Sequence, residues 1–192
     1  MKARWRHTES DFGSTDYQCA YCGRHVSASE GYWCIGENDS LDHTIAICPR
    51  CNGPTYFERH SNQIPIPPFA ESVPHIDDAK IEAIYEEARQ CTSHGAFTGA
   101  VMLCRKLLMN IAVKHGAPEN QSFQSYVDYL DKKGYVPPNG KKWVDAIRKK
   151  GNDANHEIAL MTPKDARNIV RFSEMLLRFV YEMPNMYEDE QA

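Results

Sequence analysis

The chain has 192 residues and a net charge of −4 at neutral pH, enough length to bury one ordinary core beside a small module. That charge carries no global bias toward nucleic acid, and no stretch approaches the roughly eighteen uncharged apolar residues of a membrane-spanning helix. The opening MKARWRHTES is basic with no apolar run behind it, so the expectation is a soluble, cytoplasmic protein without a membrane partner.

The first elements met along the chain are two Cys-x-x-Cys pairs. Cys19 and Cys22 stand in YQCAYCGRH, Cys48 and Cys51 in AICPRCNGP, with twenty-five residues between the pairs. Each pair can form a tight knuckle that aims two thiolates at one ion, and four such ligands fill a tetrahedral sphere. The spacing predicts a zinc ribbon holding one structural zinc, since a catalytic zinc keeps an open position. Two disulfides or a redox dithiol are the competing readings, and seven cysteines in a chain with no secretory signature fit a reducing compartment better. Cys34 and His43 lie between the pairs, and either could replace one of the four assigned ligands.

Around the knuckles, GYWCIG and HTIAIC read as short strands. The character of the chain then changes: the segment from Ile64 to Pro74, IPIPPFAESVP, holds four prolines and predicts a semi-rigid connector. The expected organisation is a ribbon over 1–63, a linker over 64–74, a helical bundle over 75–184 and an acidic tail over 185–192.

From Asp77, read as an N-cap, Ile81, Ile84, Tyr85, Ala88 and Cys91 follow helical spacing until Gly95. A second run from Phe97 to His115 is apolar on most faces and predicts the central, buried helix. Phe123, Tyr126, Val127 and Leu130 make a third, ended by Gly134 and the Pro137–Pro138 pair, and Trp143, Val144 and Ile147 begin a fourth. The last starts at TPKD, where Thr162 caps, Pro163 fits the first turn and Asp165 completes a capping box. About five helices on short loops predict an all-α, mostly antiparallel bundle. Cys91 and Cys104 fall on apolar helical faces and read as core.

One segment carries possible chemistry. In IRKKGNDANHEI, Arg148, Asn152 and His156 fall at i, i+4 and i+8 and would share one helical stripe. From Lys132 to Lys150 there are seven Lys or Arg and a single acid, Asp145, a locally basic stretch that would attract phosphates. Lys141, Lys142, Lys149 and Lys150 are the candidate nucleic-acid contacts. The competing reading makes Gly151 and Asn152 a helix end and the lysines a solvated face.

The residues EEA at Glu86 to Ala88, the helix GAVMLCRKLL with Arg105, the loop GYVP and above all IRKKGNDANHE resemble a bacterial domain family of unknown function, DUF4145, over roughly Pro74 to Tyr181. That family resembles the HEPN superfamily of helical nucleotide-binding and ribonuclease domains of phage defence, toxin systems and RNA processing. The resemblance implies a HEPN-like bundle and a homodimer. It also implies a metal-independent endoribonuclease chemistry carried by Arg148, Asn152 and His156, with His156 as the acid or base and Arg148 stabilising the charged phosphorane. In HEPN ribonucleases four to six residues separate the Arg from the His, whereas seven separate them here.

Three functions follow from these readings. The first is a non-catalytic module that binds RNA, DNA or a partner protein through a zinc-stabilised ribbon and a HEPN-like bundle. The second is the ribonuclease, and the third a toxin-system or defence accessory whose bundle occludes a partner protein.

Overall fold

The computed structural model describes residues 5–8, 15–35, 41–58, 62–136 and 160–189. The chain divides into two compact units after Pro68.

Among the described residues the N-terminal unit has seven short strands: β1 (Trp5–Thr8), β2 (Thr15–Gln18), β3 (His25–Ala28), β4 (Gly31–Ile35), β5 (Leu41–Ile47), β6 (Pro54–Glu58) and β7 (Asn62–Ile64). They form an antiparallel five-stranded sheet, in the order β1-β4-β5-β6-β7, and a separate β2-β3 hairpin. Alternation along the strands turns Thr44, Ala46, Thr55 and Phe57 inward and leaves Tyr32 and Ile64 exposed. The hairpin supplies the other side of the core through Tyr17 and Ala28, with Tyr17 set edge-on to Phe57 at 5.2 Å between ring centroids. Gln63 Nε2 donates to Gln18 O at 2.7 Å and ties the last strand to the hairpin. Among the described residues six make up this buried cluster, and Cys19 and Cys48 are two of them. Apolar burial alone is therefore thin support for the unit.

The C-terminal unit is helical: α1 (Ala79–Ser93), α2 (Phe97–Lys114), α3 (Phe123–Lys132) and α4 (Pro163–Leu177). As the apolar spacing predicts, α2 is central and packs on the other three helices. Leu107, Leu108 and Ile111 are fully buried, together with Tyr85 from α1, Val127 and Leu130 from α3, and Phe172, Leu176 and Leu177 from α4. The stops are as regular as the core. In each of α1, α2 and α3 a glycine with positive φ (Gly95, Gly116, Gly134) follows the C-cap. The next N–H reaches back five residues, Ala96 to Cys91 O, Ala117 to Ala112 O and Tyr135 to Leu130 O, at 2.8 to 3.0 Å. At the start of α4 the capping box is complete: Asp165 N–H donates to Thr162 Oγ1, and Thr162 N–H to Asp165 Oδ2.

Three expectations need correction. The N-cap of α1 is Asp78 and not Asp77: Asp78 Oδ1 accepts from Lys80 N–H and Ile81 N–H, while Asp77 pairs with Lys114 at 2.7 Å. Two adjacent carboxylates look alike in a sequence, and the distant ammonium of Lys114 takes one of them. Next, the proline-rich segment is not a connector along its whole length. Ile64 pairs with Tyr56, whereas from Phe69 the chain straps onto α1. Arg89, itself buried, donates from Nε to Phe69 O at 3.0 Å and from Nη2 to Ala70 O at 2.8 Å, and Tyr85 Oη donates to Glu71 O at 2.8 Å. Val73 then enters the helical core. Last, the first residues of the expected acidic tail over 185–192 are helical as far as Asp189. After α4 a π-helical turn (Arg178–Glu182) leads into a further helical segment, Met183–Asp189. Pro184 would press on the carbonyl of residue 180 in a regular helix, and the wider turn gives that ring room. The helix expected from Trp143 lies outside the described residues.

Candidate metal centre

Each Cys-x-x-Cys pair is the tip of a hairpin, the first joining β2 to β3 and the second joining β5 to β6 in the other sheet. The two turns fold alike. Gly23 N–H donates to Cys19 O at 2.9 Å and Cys19 N–H to Arg24 O at 2.9 Å; Asn52 N–H donates to Cys48 O at 2.9 Å and Cys48 N–H to Gly53 O at 3.1 Å. In both, the residue after the second cysteine has left-handed backbone, φ 69° at Gly23 and 58° at Asn52. Glycine and asparagine adopt that conformation with the least strain, which is why CG and CN close the two turns.

The knuckles bring all four sulfurs within 4.8 Å of one another. Cys19 Sγ lies 3.7 Å from Cys51 Sγ, and Cys22 Sγ lies 3.9 Å from Cys48 Sγ. Metal–sulfur bonds of about 2.3 Å in a tetrahedron put the sulfurs about 3.8 Å apart, whereas a disulfide requires about 2.05 Å. The cluster thus has the dimensions of a four-thiolate metal site and not of two bridges.

Electrostatics point the same way. Burial pushes the Cys19 thiol up to about 12. Burial also acts upward on Cys48, but backbone N–H groups of Arg50 and Cys51 outweigh it and bring that thiol down to about 7. Four thiolates so close together repel one another, and a dication removes the repulsion. The four cysteines could therefore hold a metal ion, with every coordination position filled by protein.

Neither alternative ligand joins them. His43 Nδ1 is 2.7 Å from Tyr56 Oη, its ring stacked on that tyrosine at 5.7 Å, and Cys34 lies buried in β4 opposite His43. Cys104 is fully buried in α2, where desolvation pushes it up to about 12, an inert core thiol as expected; Cys91 is half-buried.

The remaining candidates are placed differently. Arg148, Asn152 and His156, with Lys141, Lys142, Lys149 and Lys150, all lie outside the described residues. A family model described as "Domain of unknown function (DUF4145)" matches residues 86–191, more than half of the chain. The chain belongs to the DUF4145 family. Neither a curated protein nor a solved structure matches it. The DUF4145 match begins inside α1 and takes in α2, α3 and α4, while the cysteine cluster stands outside it. Within the DUF4145 region Arg105 of α2 is buried, with its guanidinium 4.2 Å from the Phe123 ring centroid. Among the described residues no helix is long and apolar enough to cross a membrane.

Spacing alone does not single out Tyr21. It sits in the turn of the first knuckle with its ring against Gly53 of the second. A Cβ on Gly53 would collide with Tyr21 Cδ2 and sit 2.8 Å from Cγ. The only trace in the sequence is the glycine two residues after Cys51.

Proposed function

We propose that this DUF4145 protein is a binding module for nucleic acid or a partner protein, in which one structural zinc holds a ribbon together beside a HEPN-like helical bundle. The observation that carries the reading is the four-thiol cluster. Its sulfur separations suit zinc, its donor set is the one structural zinc favours, and four protein ligands leave no position for a substrate. The work of such an ion is to organise a surface, and a small core that incorporates two of its own ligands makes the ion's contribution to folding decisive.

The test combines metal analysis with binding. Purified protein should contain one zinc per chain, replacement by cobalt should give the absorption of a tetrahedral thiolate site, and serine at any of Cys19, Cys22, Cys48 or Cys51 should remove the ion. Retention of full stoichiometry in all four variants would reject this ligand set. Mixed RNA incubated with the protein should be bound and recovered intact.

A second reading is favoured by one feature, the Arg148, Asn152 and His156 series within the family-matched segment. It makes the protein a metal-independent endoribonuclease that leaves cyclic 2′,3′-phosphate ends. RNA loss that persists in chelator and disappears in His156→Ala would establish it, and intact RNA in the wild-type digest would remove it.

A further inference from the structure

We infer that the tip of the paired knuckles is a contact site for single-stranded nucleic acid, with Tyr21 as a stacking platform for one base and Arg24 and Arg50 as phosphate contacts. This deepens the binding-module reading and rests on it. The first observation is the posture of Tyr21. One face of its ring lies on the backbone of Gly53, which is buried, yet the residue is 55% exposed. Exposed tyrosines usually swing freely over several rotamers; this one has a floor that only glycine permits. A ring fixed on one face and open on the other is the geometry on which a base stacks, with little ordering left to do on binding.

The second observation is that the platform is built into the metal site. Tyr21 stands between Cys19 and Cys22 in a turn that Gly23 N–H closes on Cys19 O at 2.9 Å and Cys19 N–H closes on Arg24 O at 2.9 Å, so the backbone that carries the ring also places two of the four sulfurs. The third is charge. Arg24 leaves the first knuckle, Arg50 lies within the second, and both are exposed. Among the described residues neither has an acidic partner. Together they place two guanidiniums on the same pair of turns as the aromatic ring. A stacking face flanked by cations suits a single strand, whose bases are available, and not a duplex, whose bases are already stacked.

The test uses the full zinc-loaded chain with three fluorescent probes: an oligo-U RNA, an oligo-dT DNA of equal length, and a DNA duplex. One or both single strands should bind in preference to the duplex. Tyr21→Leu keeps an apolar cover on Gly53 but has no π face, so it should weaken binding about 5- to 150-fold, the range that stacking one base spans. Tyr21→Phe should bind as wild type. Arg24→Gln and Arg50→Gln should each flatten the salt dependence by about 0.7 in the slope of log affinity against log salt, with zinc content unchanged in every variant. If single strands bind but Tyr21→Leu binds equally well, the inference falls while the binding-module reading stands on another surface. If neither strand binds, the inference falls with the nucleic-acid half of that reading, and zinc stoichiometry is unaffected. If the arginine variants lose zinc instead of changing the salt slope, their role is as counterions to the thiolates and the phosphate contacts are overturned.

Discussion

If zinc occupies the cysteine cluster as proposed, its removal should unfold the N-terminal unit and leave the helical unit standing. Apart from Cys19 and Cys48, the buried cluster of the first unit consists, among the described residues, of Tyr17, Ala28, Ala46 and Phe57. At about 1.5–3 kcal/mol for each large side chain and about 0.8 for each alanine, their burial contributes about 5–8 kcal/mol. That is only of the order of a domain's net stability, before chain entropy is set against it. A structural zinc bound by four ligands contributes about 10–16 kcal/mol at neutral pH, so the ion outweighs the apolar cluster. The assay is amide hydrogen exchange with and without chelator. Protection in β5 and β6, the strands that bracket the second knuckle, should collapse, while α2 and α4 keep theirs. Cys48→Ser should reproduce the result without chelator. Strand protection that survives complete zinc removal would show that burial and strand pairing hold the unit unaided, and would refute the reasoning.

Three further predictions concern the helical unit. Arg89→Ala removes donors from Phe69 O and Ala70 O and should cost about 3–6 kcal/mol in denaturant unfolding, the scale of two hydrogen bonds to a charged group. Thr162→Ala breaks the capping box at α4 and should cost about 0.5–2 kcal/mol by the same measurement. Burial, and then the neighbouring Lys114, hold the His115 imidazole below the usual histidine range, with Asp77 opposing. Because the folded pKa is the lower one, the unfolded chain binds the proton first. Stability should be full above about pH 6.5, the unfolded value, and fall as the pH drops below it. Melting temperature against pH should show this slope, and His115→Gln should flatten it.

What could be read in advance followed from the range of the interactions concerned. A knuckle is closed by its own six residues, so CAYCGR and CPRCNG announce the cluster, and the same locality makes the Thr162–Asp165 box and the terminating Gly95 and Gly134 visible. The central helix showed itself because its apolar residues cover more than one face. Long-range choices were hidden. Nothing beside Asp77 and Asp78 says that Lys114, thirty-seven residues on from Asp77, will claim the first and leave the second to cap. The partners of Arg89 are backbone carbonyls, which every residue has, so no side chain advertised the strap. The floor beneath Tyr21 is defined by an atom that Gly53 lacks. The cysteine cluster was therefore legible, and the ring beside it was not.

The strap has a practical consequence for anyone dissecting the chain. Composition suggests cutting after the last of the clustered prolines, at residue 75. A fragment begun there would discard the acceptors of Arg89 and the plug that Val73 inserts among the helices, leaving a guanidinium facing an emptied slot and fresh oily surface. Such a piece should aggregate, whereas one begun at Phe69 should stay in solution.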